Sequence, residues 1–139
     1  MLNQEQNQAI DYKSYYTIEH PSIAPGVKLW AGTLAMNDGG QAKPAASGVA
    51  GSTLLGLVYQ TQDNLGGATP FTPASAPLYL RGLTIEVEGL AADLPKVADL
   101  GKLVAVSDNN TIKKTIAPND LTVTLVAILP NNRFHVFLS

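Results

Sequence analysis

The amino-acid sequence predicts an all-β fold, a small β-barrel or sandwich of about seven short strands with an extended N-terminal arm. Two observations carry that expectation. Apolar runs and clean alternations recur along residues 28–139, and clusters of Gly, Pro or Asn close each one, which is the punctuation of tight turns. At 139 residues the chain has a single-domain length, able to bury roughly two thirds of its unfolded surface in one core. It divides into an arm, residues 1–27, and a β-barrel domain, residues 28–139.

The arm is rich in Gln, Asn and Tyr, carries Pro21 and Pro25, and holds neither strand nor helix period for long. Tyr12, Tyr15, Tyr16 and Ile18 make it unusually apolar for a solvated tail. Tyrosine favours interfaces because a large ring carries a polar tip. The arm is therefore expected to order against a neighbour, adding a strand to an open edge. A loosely ordered terminus is the competing expectation.

"KLWAGTLAM" then reads as a strand, and Asp38-Gly39 as a hairpin turn, since both central residues of the favoured turn take positive φ. "NDGGQAKPAASG" also resembles a glycine-rich phosphate loop. Such a loop needs a helix behind it to aim backbone N–H groups at the anion, and none follows. A second strand covers residues 53–60. In residues 78–89, Leu83, Ile85 and Val87 alternate with Thr84, Glu86 and Glu88, the pattern of a half-buried strand. Gly82 within it marks a bulge or a close backbone approach.

Residues 91–101 are the best helical turn, limited by Pro95 and stopped by Gly101. Residues 102–107 and 111–116 form a hairpin around Asp108-Asn109-Asn110. Leu121, Val123 and Leu125 alternate with Thr122 and Thr124. After the turn at Pro130-Asn131-Asn132, Phe134, Val136 and Leu138 face one way while His135 and Phe137 face the other.

Composition narrows function. With no cysteine the chain has neither disulfides nor thiolate metal sites. Only 14% of residues are charged and the net charge is −2, where about a quarter are charged in a typical domain. Its surface must be built from small polar residues or be covered by partners, and near-neutrality favours association. Lys113-Lys114 is the only adjacent cationic pair, so nucleic acid is not an expected partner. There is no apolar run of about 18 residues and no signal-peptide pattern at the N-terminus, so neither a membrane span nor export is expected.

Catalytic chemistry is poorly represented. His20 and His135 fall in different segments without metal-ligand spacing. Ser47, Ser52 and Ser75 lack the strand–turn–helix setting of an activated nucleophile. Glu86 and Glu88 sit about 7 Å apart along one strand face, within reach of a glycosidase pair, yet glutamates alternating with Leu, Ile and Val mark a wet sheet face. Asp93, Asp99 and Asp108 belong to turns, and Asp108-Asn109-Asn110 lacks the oxygen-rich loop of a calcium site. Trp30, the single tryptophan, is expected in the core, with an interface anchor as the second reading. No catalytic residue, cofactor or metal is expected.

The order "KLWAGTLAMNDGGQAKPAAS", "TLLGLVYQTQDN", "LYLRGLTIEVEG", "VADLGKLVAVSDNNTIKK", "LTVTLVAILPNNRFHVFLS" resembles the capsid decoration, or cement, proteins of tailed bacteriophages. The resemblance covers residues 28–139. The long "NLGGATPFTPASAPLY" insert and residues 1–27 depart from it. It implies a non-enzymatic barrel on the outer surface of a virion capsid, bound to the major capsid protein and to copies of itself, with a trimer favoured. The chain would be made in the host cytoplasm. Tyr12, Tyr15, Tyr16, Ile18, Trp30 and Phe71 are the candidate contact residues. The competing class is a carbohydrate- or receptor-binding β-module of a phage fibre or adhesin, which would want exposed aromatics beside Asp, Asn and Arg in one groove, and Trp30 and Arg81 are too few to compel it.

Overall fold

The computed structural model describes residues 2–6 and 15–139, and Tyr12 lies outside them. The N-terminal half holds β1 (Tyr16–Glu19), β2 (Lys28–Leu29), β3 (Leu34–Asp38), β4 (Gln41–Pro44), β5 (Thr53–Val58), β6 (Gln62–Asp63) and β7 (Leu78–Arg81). The C-terminal half holds β8 (Leu83–Gly89), β9 (Leu103–Val106), β10 (Thr111–Lys113), β11 (Thr122–Leu129) and β12 (Arg133–Leu138). A five-stranded sheet has the order β1-β7-β5-β3-β4, β2 pairs with β6, and the last five strands close a barrel in the order β10-β8-β12-β11-β9. Parallel pairing of β10 with β8 and antiparallel pairing with β9 complete the closure, which leaves the barrel without a free edge. The expected all-β architecture is present. Its closed barrel is confined to the C-terminal half, and the strands are shorter and more numerous than the sequence pattern implies.

The apparent strand at residues 78–89 is two strands. Gly82 has φ +73°, a left-handed conformation that glycine alone adopts at no steric cost. There the chain leaves the sheet as β7 and enters the barrel as β8. The Gly82 N–H donates to Leu138 O at 2.5 Å. Arg81 donates through Nη1 to Leu54 O at 2.7 Å and through Nη2 to Ser139 O, joining the sheet to the end of the barrel. The first hairpin turns at Gly39-Gly40, one residue later than expected, with Asp38 paired to Gln41. Residues 91–101 contribute only a 3-10 turn, Val97–Asp99.

Residues 16–19 pair antiparallel with β7 of the same chain, from Tyr16 opposite Arg81 to Glu19 opposite Leu78. Ile23 and Ala24 are fully buried, and Ile23 exchanges both main-chain bonds with Phe71, at 2.8 and 2.9 Å. The segment from residue 15 onward thus packs into the domain's own sheet. A four-residue strand is too short to declare its period, so the sequence shows it only as an apolar cluster.

One core is shared by sheet and barrel. Leu34, Met36, Leu54, Leu57 and Leu80 meet Leu83, Ile85, Val87, Val123, Leu125, Phe134, Val136 and Leu138 in a single buried cluster. Each such side chain contributes about 1.5–3 kcal/mol on burial. The other face of the sheet buries Ile23, Leu29, Ala35, Ala42, Leu55, Val58 and Tyr79. Leu55 and Leu57 face opposite ways because a register shift opposite Ala35 and Met36 breaks the period of two. Gly56 makes that bulge feasible. Its φ is +133°, and a Cβ there would sit 2.3 Å from Leu80 O.

Two polar side chains complete the packing. The Asp120 carboxylate, buried between loops, accepts from the N–H of Ala117 and of Gly48, both at 2.8 Å, and from the Lys113 ammonium at 3.1 Å. It ties the β10–β11 loop to the β4–β5 loop. Burial acts to raise its pKa, but the Ala117 N–H, the Lys113 ammonium and the Gly48 N–H outweigh burial and hold it below the usual carboxylate value. Tyr79 is fully buried with its hydroxyl unpaired, and that burial pushes its pKa up to about 12.

Three outcomes follow for stability, each measurable by urea or thermal unfolding. Gly56→Ala should cost about 3 kcal/mol, through the forbidden φ and the clash with Leu80 O. Tyr79→Phe should raise stability by about 1 kcal/mol, since it removes an unsatisfied hydroxyl and keeps the ring. Asp120→Asn should cost about 2 kcal/mol at neutral pH. The folded pKa of Asp120 is depressed, so its contribution is complete above the unfolded value of 3.8 and is lost as pH falls through the lower folded value. The gap between wild type and Asp120→Asn should therefore narrow in acid.

Candidate functional site: an apolar wall of the barrel

Strands β9, β11, β12 and β8 lie side by side around the barrel, and their register decides what the outer wall presents. Leu103 stands opposite Thr124, Thr124 opposite Phe137, and Phe137 opposite Thr84. The neighbouring pairs Val104–Val123 and Leu125–Val136 point into the core, so this row faces out. Opposed side chains lie about 5 Å apart. Leu103 is 56% exposed and Phe137 37%.

A β-bulge between Leu125 and Ala127 adds to the row. The extra residue, Val126, is turned to solvent and 49% exposed. The Gly101 N–H donates to Leu125 O, and the Leu125 N–H to Lys102 O, each at 2.9 Å. These bonds hold the 3-10 turn segment against β11, with Leu100 and Val97 exposed.

The adjacent rows are polar. Arg133 pairs through Nε with Glu86 at 3.1 Å and through Nη1 with Glu88 at 3.2 Å. Both glutamates of the alternating strand are thus held by one guanidinium on a wet sheet face. Pairs this exposed contribute at most about 1 kcal/mol. His135 lies between Ala127 and Glu86 in register. The wall therefore offers three exposed apolar side chains, Leu103, Val126 and Phe137, set among Thr84 and Thr124 and beside an Arg133 shared by two glutamates.

The other titratable groups serve turns. The N–H and hydroxyl of Thr115 hold the Asp93 carboxyl below the usual range. Asp99 accepts from the Lys96 N–H at 2.7 Å, and Asp108 from the Asn110 N–H at 3.0 Å. His20 Nδ1 lies 3.0 Å from Ser22 O. Among the described residues no group of three or more His, Asp or Glu is placed to hold a metal ion.

The predicted contact residues are dispersed. Tyr15 is half-buried against the shared core and Ile18 against the second core. Tyr16 is 49% exposed on β1, and Phe71 is 43% exposed beside Ile23. Trp30 is not a core residue. It is half-buried after β2, with the Lys28 ammonium 3.9 Å from its ring centroid, and it lines a groove of about 540 Å³. Sequence reasoning passed over Leu103, Val126 and Phe137. The available signals were Phe137 on the polar side of its alternation and the doubled apolar step at Leu125-Val126.

Compared with protein-family models, with curated proteins and with solved structures, the chain matches none.

Proposed function

We propose that this chain is a non-enzymatic capsid decoration protein of a tailed bacteriophage. It binds the outer capsid surface and stabilises the shell by bridging capsid subunits, its partners being the major capsid protein and neighbouring copies of itself, with a trimer favoured. The ordered motifs of residues 28–139 support the reading. The observation that carries it is the row Leu103, Val126 and Phe137 on the outer wall of a closed barrel.

The physics of such a role favours these features. Flat protein contact needs apolar area on a stiff support, because a rigid wall loses little conformational entropy on binding. It also needs few unpaired charges, since stranding a charge in an interface is costly. Repetition over a shell supplies the remaining strength, as linked weak contacts gain avidity through effective concentration. The chain is short of charge, and Arg133 is already paired with Glu86 and Glu88 on its own surface.

Co-sedimentation with undecorated tailed-phage heads tests the proposal. The wild-type protein should pellet with heads at a saturating, stoichiometric ratio. A Leu103→Asp, Val126→Asp double variant should lose at least tenfold in affinity while keeping its thermal midpoint, since Leu103 is 56% and Val126 49% exposed. Equal occupancy by the double variant would remove the wall from the interface. Binding of the free protein to glycans without binding to heads would favour a carbohydrate-recognising module instead.

A further inference from the structure

The groove beside Trp30 takes no part in the barrel wall, and its construction is specific. Its apolar lining comes from Val27, Trp30, Met36, Pro44 and Leu65, with Leu2 on one side. Lys28 and Lys43 are its only charged lining residues among the described residues. A volume of about 540 Å³ falls within the range of small-molecule sites, which are mostly apolar with a few placed polar groups.

Each element of the groove is held in place. Lys28 Nζ rests over the Trp30 ring, 3.7 Å from the Asp63 carboxylate, and Lys43 Nζ is 2.7 Å from Asp38. Neither carboxylate lines the groove, and an ammonium has three donors, so each cation keeps bonding capacity toward the cavity. The Leu2 wall is docked by reciprocal 3.1 Å bonds, Leu2 N–H to Asn109 Oδ1 and Asn109 Nδ2 to Leu2 O. Gln6 N–H to Ala31 O at 2.7 Å and Thr61 Oγ1 to Glu5 Oε1 at 2.7 Å fasten the rest of that segment. Leu65, meanwhile, is 59% exposed at the groove. A hydrocarbon laid on it would remove apolar surface from water.

We propose that this groove binds a small amphipathic carboxylate, a chain or ring of roughly six to ten carbons ending in one anionic group. The carboxylate sits between the Lys28 and Lys43 ammonium groups, and the apolar body lies along Trp30, Met36 and Leu65. The two ammonium groups select an anion, since among the described residues of the lining they are the charged groups, each held from behind by a carboxylate outside the groove. This site is separate from the barrel wall and does not depend on the capsid reading.

Trp30 is the only tryptophan, so its emission reports the groove directly. Octanoate should produce a saturable change in Trp30 fluorescence, and octanol should bind at least tenfold more weakly. Lys28→Met should weaken octanoate about tenfold, which corresponds to about 1.4 kcal/mol. Leu65→Glu, at an exposed position, should abolish the response with the thermal midpoint unchanged. The proposal is overturned by equal responses to octanoate and octanol, by wild-type octanoate binding in Leu65→Glu, or by the lack of any saturable change up to about 10 mM.

Discussion

At Arg81 and Gly82 the chain steps from a five-stranded sheet into a closed barrel, and the rest of the structure depends on that step. Only a left-handed residue lets β7 end in one sheet and β8 begin in another without a loop between them. The Arg81 guanidinium then reaches back to Leu54 O and across to Ser139 O. Because the step is abrupt, the inner face of the sheet lies directly on the barrel, and their apolar side chains fuse into one core. Two cross-ties reinforce it. Asp120 joins loops on either side, and Asn109, in the β9–β10 turn, accepts through its main-chain oxygen from Leu34 N–H at 2.7 Å.

A fused core has consequences at the surface. The barrel wall cannot flex independently of the sheet, so Leu103, Val126 and Phe137 are presented as a fixed row. The groove at Trp30 is likewise assembled from rigid parts, with Asn109 serving both the core and the Leu2 wall. Charge is scarce on this molecule and is spent locally, on turns, on Lys113 and Asp120, and on Arg133 with its two glutamates. On the barrel wall, apolar and small polar side chains are left as the main means of recognition.

The parts legible in sequence are those where one face of a long strand is buried. Leu83 to Val87, Leu121 to Leu125 and Phe134 to Leu138 each bury every second residue as their alternation implies, because burial on one side enforces the period. Other parts were hidden for identifiable reasons. Strands of two to four residues, such as β1, β2 and β6, are too short to show a period. The bulge at Leu55-Gly56 reverses the alternation midway, so the run appears uniformly apolar. The break at Gly82 was visible as a glycine but not as a change of sheet. The candidate wall depends on register between four strands, and the groove gathers positions as distant as Leu2, Trp30, Leu65 and Asn109. Local pattern hints at the wall only through Phe137 and the Leu125-Val126 step, and it shows nothing of the groove.

Native-state hydrogen exchange tests most directly whether sheet and barrel form one body. The amides to follow are Val58 and Leu34 in the sheet, bonded to Thr33 O and Asn109 O, and Leu125 and Val106 in the barrel, bonded to Lys102 O and Leu121 O. With a fused core, all four exchange through the same global opening and show one free energy. If Val58 and Leu34 open together at about 2 kcal/mol or more below Leu125 and Val106, the sheet is a separable layer and the account of a single rigid support is wrong.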